Sequence, residues 1–122
     1  MEKLFDNALG NLVLNQLFDE QFIVSSRQWQ PLRDGVNISP IYEMDEMGPR
    51  AAFLHYLPGA SVPNHVHHGI EHILILHGSQ IDGEVTYTSG TLIVHGPETN
   101  HNIHSPEGCL ALGIWEKPVR FV

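Results

Sequence analysis

Apolar side chains recur over the first 20 residues at Leu4, Phe5, Ala8, Leu9, Leu12, Val13 and Leu17. That rhythm lies nearer the helical period than the two-residue period of a strand, and it predicts a short helix. Gly10 interrupts the pattern and leaves two short elements or an added strand open. From Phe22 onward the pattern changes to short β-branched, aromatic and aliphatic runs cut by turn signals. The signals include Pro31 to Gly35, Ser39-Pro40, Met47-Gly48-Pro49, Pro58-Gly59, His77-Gly78, Asp82-Gly83, Ser89-Gly90, Gly96-Pro97 and Pro106-Glu107-Gly108. Spaced about 8 to 12 residues apart, they punctuate the chain as an all-β sandwich or barrel does. Between them Ala51 to Leu57, Ile73 to Leu76, Val85 to Tyr87, Leu92 to Val94 and Leu110 to Trp115 read as strands. Several are apolar on both faces, so each must be covered on both, by a second sheet or by a partner subunit.

The chain of 122 residues has no repeat or linker to divide it and is long enough to bury a core without disulfides. Its formal charge of −8, with only 6 Lys and Arg, provides no basic stripe for phosphates or anionic lipids. Nucleic acid and membrane are therefore not expected as partners. No apolar run approaches the ~20 residues of a spanning helix, and the N-terminus lacks the basic-then-apolar build of a signal peptide. A cytoplasmic location is expected, and the single cysteine, Cys109, fits a reducing compartment. Cys109 reads as a small buried hydrophobe.

Histidine changes the picture. There are nine, dispersed through the chain at His55, His65, His67, His68, His72, His77, His95, His101 and His104. On an extended strand His65 and His67 point to one face, about 6.6 Å apart along the chain, while Val66 points away. The short His68-Gly69-Ile70 connection lets the chain turn back and bring Glu71 to the same interior face. A fourth group must come from elsewhere, and His101, after a strand and a turn, is the candidate. Three imidazoles and a carboxylate suit one divalent transition metal per chain (zinc, iron, manganese, nickel or copper) better than calcium or magnesium. The other histidines read as loop, surface or outlying residues. His55 could line a pocket, and Tyr56 and Trp115 read as core or pocket wall.

Gly59, His65, His67, Glu71 and Gly78 match the first cupin motif, Gly-x5-His-x-His-x3-Glu-x6-Gly, without departure. The second motif, Gly-x5-Pro-x-Gly-x2-His-x3-Asn, is matched by Gly90 and His101, with Gly96, Glu98 and Ser105 at its other fixed positions. The chain thus resembles the cupin superfamily, and its flanking text resembles the cupin domain of ChrR-type anti-sigma factors over residues 27 to 116. The resemblance implies a double-stranded β-helix, or jelly-roll, with His65, His67, Glu71 and His101 as metal ligands. Residues 1–25 would form an N-terminal extension packing on the barrel or on a dimer partner, and residues 26–122 the barrel itself. His68-Gly-Ile-Glu71-His72 also fits the His-x-x-Glu-His signature of inverzincin peptidases. Gly69 and the Ile-Leu-Ile-Leu run that follows disfavour the helix such a site needs.

Two functions follow from the resemblance. One is a small mononuclear-metal enzyme, dioxygenase-like or related, with proton transfer left to a pocket residue such as Glu98 or Glu84. The other is a ChrR-like sensory module with bound zinc. About 25 residues precede the matched stretch and hold no Cys and His cluster of the kind a zinc-dependent sigma-binding domain requires, so direct sigma-factor binding is not expected. Either way the expected partners are a small molecule and, through the doubly apolar strands, a second copy in a homodimer.

Overall fold

The computed structural model describes residues 11–121, with side chains through Pro118. Among the described residues one helix, α1 (Glu20–Ser26), precedes ten strands. It starts where Asp19 caps it, the carboxylate accepting the Phe22 N–H at 3.1 Å. The helix expected within the first 20 residues does not extend over the part of that span that is described. Residues 11–19 are not helical, and the chain bends at Gln16, whose φ is 57°. Leu14 and Leu17 instead pack directly on the sheet face, which satisfies their apolar spacing without a helix. The earlier part of the expected helix, residues 1–10, lies outside the described residues.

The strands are β1 (Gln30–Arg33), β2 (Val36–Glu43), β3 (Arg50–Tyr56), β4 (Ala60–His67), β5 (Glu71–Asp82), β6 (Val85–Thr88), β7 (Leu92–His95), β8 (Asn100–Ser105), β9 (Cys109–Trp115) and β10 (Val119–Phe121). All neighbours are antiparallel, in the order β1-β2-β3-β9-β5-β8-β4-β10, with β6 and β7 also on β5. β5 belongs to two sheets. Its first part, Glu71 to Gly78, pairs with β9, while Ser79 to Asp82 pairs with β6 and Ile81 meets His104 of β8. This strand curls the array into the jelly-roll barrel.

The barrel interior is apolar, built from Val36, Ile38, Leu54, Val62, Ile73 and Ile75 among others. A second cluster lies on the other side of the β2-β3-β9-β5 face, where Ile23 of α1 covers Ile41, Phe53, Leu76 and Leu110. This explains the doubly apolar strands: in β3, Ala52, Leu54 and Tyr56 face the interior while Ala51 and Phe53 face α1. Arg27, just after the helix, locks the cover in place. Its guanidinium donates to Ser39 Oγ at 2.8 Å and the Pro40 carbonyl at 2.7 Å, and lies 4.8 Å over the Phe53 ring.

Candidate metal centre

The cluster depends on one break in the alternation of β4. Ala60 and Val62 are buried, Pro63 and Asn64 are both exposed, and the pairing with β8 slips between Val62 and His65. A strict period of two would have turned Asn64 and Val66 inward. The irregularity exchanges the faces, so His65 and His67 become the buried pair. β8 alternates cleanly, with His101, Ile103 and Ser105 buried, and His101 sits directly across from His65. Glu71 opens β5 between two cross-strand partners, His95 of β7 and Trp115 of β9.

The structure thus brings all four sequence-identified residues together and buries them. One nitrogen from each of His65, His67 and His101 lies within 4.8 Å of the others, and a carboxylate oxygen of Glu71 lies within the same distance of one nitrogen each from His95 and His101, which are as close to each other. Glu71 Oε1 is the hub, 3.1 Å from His67 Nε2 and 3.9 Å from both His95 Nε2 and His101 Nε2. Two atoms that each bind one ion at ~2.1 Å can be at most about 4.2 Å apart, so these separations fit a shared ion. The contact between His67 and Glu71 lacks hydrogen-bond alignment. Glu71 Oε1, His67 Nε2 and His101 Nε2 are all buried without a hydrogen-bond partner in the protein. Orphaned buried polar atoms are costly, and here they converge on one point.

Partners behind the cluster fix which atoms face it. His65 Nδ1 lies 2.9 Å from the Pro63 carbonyl, which can only accept. His101 Nδ1 lies 2.8 Å from Asp82 Oδ2. His67 Nδ1 lies 3.0 Å from Thr99 Oγ1, whose own hydrogen is donated to the Gly96 carbonyl at 2.7 Å, so Oγ1 accepts. Each imidazole therefore carries its hydrogen on Nδ1 and turns Nε2 toward the centre. Trp115 Nε1–H donates to Glu71 Oε2 at 2.6 Å and leaves Oε1 inward.

The charge states agree with this arrangement. Burial lowers the pKa of His65 and of His95, favouring the neutral imidazole a metal requires. Burial pushes the Glu71 carboxyl up, but its contacts with His67, Trp115 and His101 outweigh that and hold it below the usual range. Cys109 is buried, and desolvation pushes its thiol up to about 12, so it is no nucleophile.

A cavity of about 230 Å³ opens onto His65, Glu71 and His101. Its walls are mainly apolar, from Ile38, Leu54, Val62, Ile73 and Ile103, and Tyr56 and Trp115 line it as well. Glu98 and Glu84 do not line it. Both are exposed, and the Glu98 carboxylate lies 3.9 Å from His68 instead. His55 faces away and packs beside Trp29, ring centroids 5.7 Å apart. His95, Asp82 and Thr99 are the site residues that sequence reasoning missed.

A curled antiparallel barrel with a buried His and Glu cluster facing its interior is a cupin. The chain belongs to the ChrR cupin-like domain family, whose profile matches residues 19–117. No curated protein matches the chain by sequence. Among solved structures it is similar to the Rhodobacter sphaeroides SigE complex with the anti-sigma ChrR, at 24% identity and a TM-score of 0.65, over 73% of this chain and 48% of that one. A cupin-like protein of Ralstonia eutropha JMP134 gives 19% and 0.66, over 72% and 59%. An acetylacetone dioxygenase of Acinetobacter johnsonii gives 12% and 0.75, over 100% and 85%. The chain therefore spans about half the length of the ChrR-complex chain it matches and 59% of the Ralstonia protein. Among the described residues no helix is long and apolar enough to cross a membrane.

Proposed function

We propose that the protein is a small mononuclear-metal enzyme, dioxygenase-like in character, acting on a small molecule held in the barrel. The observation that carries this reading is the apolar cavity ending on His65, Glu71 and His101. A purely structural metal would need no such space beside it. His65, His67, Glu71 and His101 would hold the ion, with His95 at the edge of the shell. A divalent transition ion there supplies Lewis acidity or a redox centre. The chain's own groups do the positioning: Pro63, Thr99 and Asp82 hold the Nδ1 hydrogens, Trp115 orients the carboxylate, and the apolar wall excludes water. The test is metal analysis of protein purified without a metal-affinity step, followed by oxygen-uptake measurements with acetylacetone and related small β-dicarbonyls. About one equivalent of iron, manganese, nickel or copper with substrate-dependent uptake is expected. Absence of metal after reconstitution would overturn the reading.

Membership in the ChrR cupin-like family favours a second reading, a sensory module with bound zinc. Zinc at one equivalent with no turnover of any cavity-sized substrate would select it.

Asp82 provides a sharper test of the ligand assignment. Replacing it with Ala frees the His101 ring to rotate, and metal affinity is expected to fall roughly 10- to 100-fold in chelator competition. Unchanged affinity would remove His101 from the shell. A homodimer is also proposed. Leu92 and Val94 of β7 and Ile114 of β9, at 57%, 56% and 38% exposure, lie where α1 does not reach, on the two strands that pair with the start of β5. Light scattering at micromolar concentration should give twice the chain mass; a monomer would sink the proposal.

A further inference from the structure

Arg27 and Arg50 each stack a guanidinium group on a buried ring, and they differ in how their donors are used. Arg27 spends its fork on Ser39 and Pro40. The guanidinium of Arg50, the first residue of β3, makes no hydrogen bond among the described residues. Its Nε is buried without a partner, and its Nη1 is 3.9 Å from Glu43 Oε2, beyond hydrogen-bond reach. The guanidinium is held instead by stacking, 5.3 Å over the Trp115 ring. It lines the cavity, and it is the only Lys or Arg among the described residues that do. A half-buried cation with an unfilled planar fork, on the wall of an apolar cavity, matches a bidentate acceptor.

We infer that Arg50 is the anion anchor of the cavity, and that its ligand is a small carboxylate with an apolar body. The inference rests on the reading of the cavity as the ligand site. The apolar side chains receive the body, and the guanidinium fork receives the carboxylate. Size limits the class. An engineered 150 Å³ cavity in another protein takes benzene, so about 230 Å³ admits a single ring or short branched chain with its carboxylate, and nothing of drug size. Trp115 joins this anchor to the metal centre, because the ring beneath Arg50 is the one whose Nε1–H holds Glu71.

The experiment is calorimetry on the metal-loaded protein with benzoate and its neutral isostere benzamide. The parent should bind benzoate at least ten times more tightly, and Arg50→Gln should lose that preference, a roughly 10- to 100-fold fall for benzoate, at unchanged metal content. Glu43→Gln gives an independent reading that does not disturb the stack. It removes the carboxylate competing for the guanidinium and should tighten benzoate binding several-fold. A preference that survives Arg50→Gln, or a Glu43→Gln variant with unaltered benzoate affinity, overturns the anchor while leaving the cavity as a ligand site. If neither probe binds the parent, the cavity reading itself fails and the anchor falls with it.

Discussion

The His65→Ala, His101→Ala double variant is expected to emerge from purification with no bound metal, where the parent carries about one equivalent. The two residues face each other across β4 and β8, so the change removes half of the proposed four-ligand set in one place. Structural zinc sites are worth roughly 10–16 kcal/mol across four ligands. Losing two of them should weaken binding on the order of 10,000-fold or more. The stability of the metal-free protein should move the other way. In the parent, Glu71 Oε1, His67 Nε2 and His101 Nε2 converge without partners, a buried polar cost that metal removes. Truncation removes part of that cost, which offsets the small cavity left by each ring. The chelated parent should therefore melt well below the loaded parent, whereas chelator should leave the variant's melting temperature unchanged. Elemental analysis showing near one equivalent in the variant would place the ion elsewhere and end the four-ligand reading.

Much of this site was legible because the ligand spacing within β4 and the short return to Glu71 are local. What was hidden depends on pairings between distant strands. His95 and Trp115 become neighbours of Glu71 only through the registers of β7 and β9 on β5. Asp82 read as half of an Asp-Gly turn signal, and its carboxylate acquires its role only when the curl of β5 brings it to His101 Nδ1. The two histidines of β4 would have kept the same spacing on either face. Nothing local announces the slip after Val62 that turns them inward.

The strands divide on similar lines. Ala51 to Leu57 and Leu110 to Trp115 were found because both of their faces are buried, one by the barrel and one by α1 and its approach. β1 and β2 were not, because Pro31 and Pro40 sit inside them and argue against strands. Both are tolerated at irregular positions: the register shifts just after Pro31 in β1 and just after Pro40 in β2.

Gly78→Ala is expected to cost about 4 kcal/mol or more, a large share of the roughly 5–15 kcal/mol that holds a domain of this kind together. Gly78 stands where β5 passes from β9 to β6, with φ at +84°. That left-handed conformation alone costs an L residue about 1–2 kcal/mol. The larger part is steric. A Cβ there would overlap the Gly108 carbonyl oxygen and lie 2.9 Å from Cys109 Cα. These are backbone atoms of the neighbouring chain segment, and the Gly108 carbonyl also accepts the Ser79 N–H at 3.2 Å, so they cannot move aside without opening the sheet junction. Gly90 is the control. Its φ of +88° is almost the same, but a Cβ there meets nothing within 4 Å. Gly90→Ala should therefore cost only the conformational part, about 1–2 kcal/mol, in parallel urea titrations. Equal losses at the two glycines would show that backbone conformation alone makes Gly78 necessary. A much larger loss at Gly78 would locate its role in the close approach by which one strand serves both sheets and carries Glu71 and Asp82 to the same histidine cluster.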